Sequence, residues 1–242
     1  RYGRDLGLTD GLARLLAELD AVSELRWIRV HYLYPNTISR ALIESMRDAE
    51  RVVPYVDIPL QHAHPATLAR MRRGGSGATH AALLGRFRAA MPDATLRSTF
   101  IVGFPGETED EFAALLEFVE RERFHHLGVF RYSHEQGTPA HRLDDDVPAE
   151  VKRERSERLM AAQQAIVFAH NRALVGRRVT VLVEGAHPET DHLLVGRTAA
   201  QAPEVDGQVL INDGDAVPGR FVHVEITETA GYDVVGRVVG PA

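Results

Sequence analysis

Three short stretches of this chain combine residue types that can do chemistry. The first is Asp57 to His62, reading DIPLQH, where Asp57 and Gln61 flank apolar residues. Polar groups closing an apolar run suit a strand whose end faces a site. His62 and His64 add a His-x-His pair, a spacing that can bind zinc at a barrel strand end and so raises a metal-dependent hydrolase. That site needs ligands from later strand ends, where only His134 is well placed; the alternative is a pair of polar loop histidines. The second stretch, Gly103 to Thr108, reads GFPGET. It lacks the lysine of a phosphate-binding P-loop. Its Glu107, beside amide donors, suits a ligand carrying hydroxyl or ammonium groups, and the alternative is an ordinary strand-to-helix turn. Arg97, just upstream, could grip a carboxylate with its planar fork or pair with a neighbouring acid. The third stretch, Tyr132 to Pro139, reads YSHEQGTP and brings hydroxyls and a glycine to what could be the same crevice.

These stretches need elements to carry them. Leu96 to Val102 reads as a buried strand; Gly103, Pro105 and Gly106 break it, and Thr108 with Glu111 forms a capping box that starts a helix over Glu109 to Glu122. A strand turning sharply into a helix is where α/β sheets bind ligands, because the loops there offer amides and helix dipoles to a crevice. Further strands are expected at Trp27 to Leu33, Tyr55 to Leu60 and Leu127 to Tyr132. Helices are expected from a cap at Thr9 or Asp10, over Ile38 to Met46, over Ala66 to Met71 and over Ala81 to Met91, with a turn at Gly74, Gly75 and Gly77. Arg70, Arg72 and Arg73 read as a solvated helix end. Four strands separated by helices imply βα units on a parallel sheet.

From Asp144 the pattern changes. A long exposed helix from about Pro148 to Arg172 reads as a connector. After it, Val179 to Val183, Leu193 to Val195, Val209 to Ile211, Phe221 to Ile226 and Val234 to Val239 are short β-rich runs, which suggests a small barrel or sandwich. The expected domains are thus 1–143, a connecting helix 144–172, and 173–242.

The 242 residues carry a net charge of −6, and five arginines against ten acids from Ala173 onward place −5 of it in the last part. With no long apolar run and no basic-then-apolar amino end, the chain reads as soluble, cytoplasmic and without a membrane partner. It contains no cysteine, which excludes disulfides and thiolate metal sites within these residues. It opens on Arg1, as a segment of a longer protein or a processed one would.

YLYP at Tyr32 to Pro35, VPYVDIPLQH at Val53 to His62, MRRG at Met71 to Gly74, LRSTFIVGFPGETE from Leu96 and FRYSHEQGTPA from Phe130 recur in an order and spacing that resemble the radical S-adenosylmethionine methylthiotransferases. The resemblance covers essentially the whole chain. The last part resembles the TRAM domain that closes those proteins, with APEVDG at Ala202 to Gly207 similar to its signature in one branch. The implied fold is α/β: a partial radical-SAM (βα) barrel followed by a small all-β, OB-like TRAM domain.

One branch of the family modifies a transfer-RNA adenosine; the other attaches a methylthio group to the β-carbon of an aspartate in the twelfth protein of the small ribosomal subunit. The DIPLQH and MRRG forms resemble the second. Charge agrees, since an acidic terminal domain repels RNA and attracts a basic ribosomal protein. A non-enzymatic module that only docks a ribosomal protein is a further alternative. The family's mechanism implies S-adenosylmethionine cleaved to a deoxyadenosyl radical, and sulfur delivered at a second cluster. By match of motifs, Gln61, Arg97, Gly103, Phe104, Pro105, Gly106 and Glu107 are expected to face S-adenosylmethionine, with Arg97 near its carboxylate and Tyr132 and Ser133 near its adenosine. The family's two 4Fe-4S clusters need cysteine thiolates. Their ligands are expected upstream of this segment, which would bind no cluster and be inactive alone.

Overall fold

The computed structural model describes residues 2–242, with Asp191 described by its backbone alone. It divides into two units, Arg1–Gln163 and Gln164–Ala242.

The first unit is built on β1 (Tyr55–Asp57), β2 (Thr95–Val102) and β3 (His126–Arg131), parallel and in that order. Around them lie α1 (Gly11–Asp20), α2 (Arg40–Asp48), α3 (Pro65–Arg70), α4 (Gly77–Ala90), α5 (Glu109–Glu122) and the first part of α6 (Ala149–Arg172). Local chemistry sets the helix starts. Ser39 accepts from the Leu42 N–H at the head of α2, and Ser76 and Thr79 cap α4 reciprocally, as Thr108 and Glu111 do for α5. The sheet has two unlike faces, as strand alternation requires. Val56, Ile58, Leu96, Phe100 and Val102 are buried on one, where Phe100 meets Phe118 and Phe124 edge-on at 6.2 and 5.7 Å. The other carries Tyr55, Asp57, Arg97, Thr99, His126 and Phe130, and its Phe130 is exposed.

Several sequence-based expectations need correction. Trp27 to Leu33 is not a strand: only Ile28 bridges Val52, and Leu33 N–H reaches Asp57 O at 2.8 Å. Tyr32, at φ 58°, lies outside the extended region, so a continuous ladder cannot run through it. Neither Thr9 nor Asp10 caps α1 with a side chain; Asp10 instead accepts from Ser39 Oγ at 2.7 Å. Helix α4 starts at Gly77, so that glycine belongs to a helix. Nor is the start of α6 exposed, since Lys152, Arg155 and Leu159 are buried.

The second unit is a closed barrel, β4-β5-β6-β8-β7, of β4 (Arg178–His187), β5 (Thr190–Arg197), β6 (Val209–Asp213), β7 (Phe221–Ala230) and β8 (Asp233–Pro241). Alternate valines and isoleucines, including Val181, Val183, Val209, Val224 and Ile226, fill its interior. Close strand approach requires glycine at Gly236, where a Cβ would sit 2.5 Å from Val224 Cγ1 and 2.6 Å from Glu225 O.

Candidate functional site

The carboxyl ends of β1, β2 and β3 carry all three motif stretches, because parallel strands bring their following loops to one edge of the sheet. On the open face, register places Asp57 beside Arg97 and Arg97 beside His126. The buried Asp57 carboxylate lies 3.4 Å from Arg97 Nη1 and 3.4 Å from His31 Nδ1, and accepts from Tyr32 N–H at 3.2 Å. Arg97 therefore does pair with an acid, while part of its side chain remains accessible. The Tyr55 and His126 rings stack beside the pair, 6.1 Å apart.

Gln61 ends the β1 segment at φ 72°, with its N–H bonded to Thr99 O and its carbonyl accepting from Ile101 N–H, both at 2.8 Å. This bulge turns the chain at Gln61 and leaves the residue half-buried at the edge.

The GFPGE turn is held largely from within the protein. Gly103 N–H donates to Glu107 Oε1 at 2.9 Å, Glu107 N–H to Phe104 O at 2.9 Å, and Gly106 N–H to Asp146 Oδ1 at 2.7 Å. Thr108 N–H is taken by Glu111 at 3.2 Å. Gly103, Phe104, Pro105 and Glu107 are buried, whereas Gly106 is half-buried. The expectation that this turn offers its amides and the Glu107 carboxylate to a crevice is thereby corrected, since protein groups already occupy them. What it contributes to the edge is shape. Phe104 supports Tyr132, whose ring stands edge-on to it at 5.0 Å.

Tyr132 is half-buried and Ser133 exposed. The Tyr132 hydroxyl lies 3.3 Å from His134 Nδ1, and Lys152 Nζ lies 5.1 Å from the ring centroid, within cation–π range. Burial, then the charges of Asp145 and Glu135, push the Tyr132 phenol up, so it stays neutral. Ser133 Oγ donates to Glu135 at 2.5 Å.

Sequence patterns missed three side chains that build this edge. Arg70, expected to be solvated, donates from Nε to Pro105 O at 3.0 Å and pairs with Glu111. Lys152 is paired with Asp145 at 2.5 Å, and Arg155 donates to the Glu107 carboxylate at 2.8 Å. A basic residue three or four positions from another on a charge-rich helix gives no sign of which one turns inward.

His62 and His64 do not converge. His62 is fully buried with Nε2 3.3 Å from Glu107 Oε2, and His64 Nδ1 accepts from the Ala66 N–H at the start of α3. His134 instead lies beside His141, with ring centroids 4.4 Å apart. Among the described residues, no group of three or more histidine, aspartate or glutamate side chains is placed to hold a metal ion. With no cysteine in the chain, the residues present do not fit an iron–sulfur cluster. The edge does carry a guanidinium at Arg97, an amide side chain at Gln61 and, at Tyr132, an aromatic ring followed by the exposed Ser133 hydroxyl. A cavity of about 670 Å³ adjoins the open face through His31 and Tyr32; its lining includes Arg4, Asp10, Tyr34 and Asn36 but not Gln61, Arg97 or the turn.

Residues 5–119 match the model of the radical SAM superfamily, and residues 175–239 that of the TRAM domain. The ribosomal protein uS12 methylthiotransferase RimO of Anaeromyxobacter sp. (strain K) is 54% identical over 238 residues, 98% of this chain and 51% of that protein. RimO of Roseiflexus sp. (strain RS-1) is 51% identical over 98% of this chain and 51% of its own length. RimO of Syntrophotalea carbinolica is 50% identical over 98% and 52%. The chain thus spans about half the length of the curated relatives it matches. Coproporphyrinogen III oxidase HemN from Escherichia coli, a radical SAM enzyme, shares the fold with a TM-score of 0.53, over 79% of this chain and 52% of that one, at 16% identity.

Proposed function

Because the chain belongs to the radical S-adenosylmethionine methylthiotransferase family, we propose that it supplies a cofactor wall and the TRAM domain of an enzyme that adds a methylthio group to the β-carbon of an aspartate in ribosomal protein uS12. The work would be done in the cytoplasm. The observation that carries this reading is the edge formed by Gln61, the Arg97–Asp57 pair and the Phe104–Tyr132 pair, in a chain half identical to RimO proteins.

S-adenosylmethionine, when bound, supplies radical chemistry and the methyl group. Arg97, already oriented by Asp57, would take the cofactor's carboxylate by charge-assisted hydrogen bonds. Gln61 and Gly106 would border it, and Tyr132 with Ser133 would flank the adenosine. Gly103, Phe104, Pro105 and Glu107 shape the wall from behind, because they are buried. The family's two 4Fe-4S clusters would be held by thiolates outside these residues, so the segment alone would be inactive.

The barrel domain carries most of the negative charge, which supports a basic ribosomal protein as partner rather than transfer RNA. Equilibrium dialysis of S-adenosylmethionine against the chain and Arg97→Leu tests the cofactor reading. Wild-type binding weakened about tenfold or more is expected, as for loss of a charged hydrogen bond; equal binding would refute the assignment of Arg97. Anaerobic reconstitution with iron and sulfide should leave no stoichiometric four-iron cluster. Recombinant uS12 should bind with a salt-sensitive affinity, and tighter, steeply salt-dependent binding of transfer RNA would overturn the protein substrate.

A further inference from the structure

Three charged or ionisable side chains from separate parts of the first unit meet in its interior: His62 after β1, Glu107 after β2, and Arg155 on α6. The His62 and Glu107 side chains are 0% exposed and that of Arg155 is 6% exposed. His62 Nδ1 accepts from the His64 N–H at 3.0 Å, and its Nε2 lies 3.3 Å from Glu107 Oε2, a close polar contact in which neither atom makes a well-directed hydrogen bond. The other oxygen, Oε1, receives Gly103 N–H at 2.9 Å and Arg155 Nη1 at 2.8 Å. The same Nη1 donates to the Glu107 carbonyl at 3.0 Å. One carboxylate thus touches the loop after β1, the turn after β2 and the helix that backs them.

Ions are costly to bury, and apolar side chains of similar size would hold two loops at least as firmly. What this cluster adds is register: Gly103 and Arg155 bond to Glu107 Oε1, and the buried His62 ring is seated against Oε2. The two residues so registered are Gln61, adjacent to His62, and Gly103, bonded directly to the carboxylate; both have positive φ, at 72° and 71°. Gly103 adopts its φ readily, whereas Gln61 holds a conformation that a residue with a side chain rarely takes unless its surroundings fix it.

We propose that His62, Glu107 and Arg155 form a buried lock that holds the Gln61 loop and the Gly103–Gly106 turn in one register, making them positioning residues for the cofactor wall. The proposal rests on the cofactor reading above. The lock makes the two loops yield together. Glu107→Gln puts an amide where a carboxylate met two donors, and leaves the buried Arg155 charge with only the more distant Glu109 carboxylate at 3.4 Å. His62→Leu removes the polar ring edge seated against Oε2, whereas His62→Gln keeps a polar group at that place.

Amide hydrogen exchange and S-adenosylmethionine dialysis on the whole chain test this. In Glu107→Gln and His62→Leu, exchange should speed up by about tenfold or more at both 61–64 and 103–108, while the middle of α4 stays protected. Dissociation of S-adenosylmethionine should become about tenfold easier, and His62→Gln should restore both readouts to within about threefold of wild type. Acceleration confined to the substituted loop overturns the lock. So does unchanged S-adenosylmethionine affinity in His62→Leu when the wild type binds. A wild type that binds none overturns the cofactor reading, and with it the role given to the lock, a result distinct from the previous two.

Discussion

Replacing Gly103 by alanine tests how closely α6 and the turn are built together. At φ 71° an L residue costs about 1–2 kcal/mol in the left-handed region. The added Cβ would stand 2.3 Å from Lys152 Cγ and 3.1 Å from its Cβ and Cδ. Carbon atoms prefer about 3.5–4.0 Å. Lys152 cannot swing aside freely, because its side chain is 9% exposed and its Nζ is bonded to Asp145 at 2.5 Å. Overpacking of this kind adds about 1–3 kcal/mol, so Gly103→Ala should destabilise the first unit by about 2–5 kcal/mol. Lys152→Ala alone should cost about 1–2 kcal/mol through lost pairing and stem packing. The double variant keeps the backbone strain but loses the clash, and should be more stable than additivity gives by about 1–3 kcal/mol. Urea unfolding followed by Trp27, the chain's only tryptophan and part of the first unit, reads out all four proteins. Costs that add to within about 0.5 kcal/mol would show that Lys152 does not press on Gly103 and would refute this reasoning.

Thr108→Ala removes the hydroxyl that accepts from Glu111 N–H at 3.3 Å and should cost about 1 kcal/mol by the same assay. Burial raises the Glu111 carboxyl, but hydrogen bonds from Arg70, Thr67 and the Thr108 N–H outweigh it and hold the group below its ordinary value of 4.5. A depressed folded value means that this stabilisation is complete above about pH 4.5 and is lost as the pH falls through the folded value. The urea midpoint of the first unit should therefore fall in that acid range, and Glu111→Gln should flatten the fall; an equally steep fall in the variant would assign it to other carboxylates. In the barrel, Gly236→Ala forces contact with Val224 and the Glu225 carbonyl and should cost about 1–3 kcal/mol. Faster exchange of β7 and β8 amides would report it, and wild-type protection in the variant would show that the strands can part at no cost.

Local features of the chain were readable where their causes are local. The Thr108–Glu111 box lies within four consecutive residues and is formed as its spacing implies. Five β-rich runs after Ala173 correspond to the five barrel strands, since alternation of buried and exposed positions is a period-two signal written in each strand. Trp27 to Leu33 has the same kind of composition yet pairs only at Ile28. Strand formation needs a partner in register as well as a β-rich run, and the positive φ of Tyr32 breaks that register.

The candidate site divides in the same way. Its location at the ends of β1, β2 and β3 follows from strand-then-turn patterns that the residues at Leu96 to Thr108 and Tyr132 to Pro139 display on their own. Which of those residues face outward does not follow. The turn's Pro105 carbonyl, Gly106 N–H and Glu107 carboxylate and the Arg97 fork are claimed by Arg70, Asp146, Arg155 and Asp57 respectively, partners 35 to 48 residues away in the chain. Composition settles that no thiolate can come from these residues, and the order of the motifs carries the resemblance to the proteins this chain matches. Tertiary structure alone decides which charges are buried and against what, because pairing between distant segments costs desolvation and repays it only when the fold brings the groups to contact.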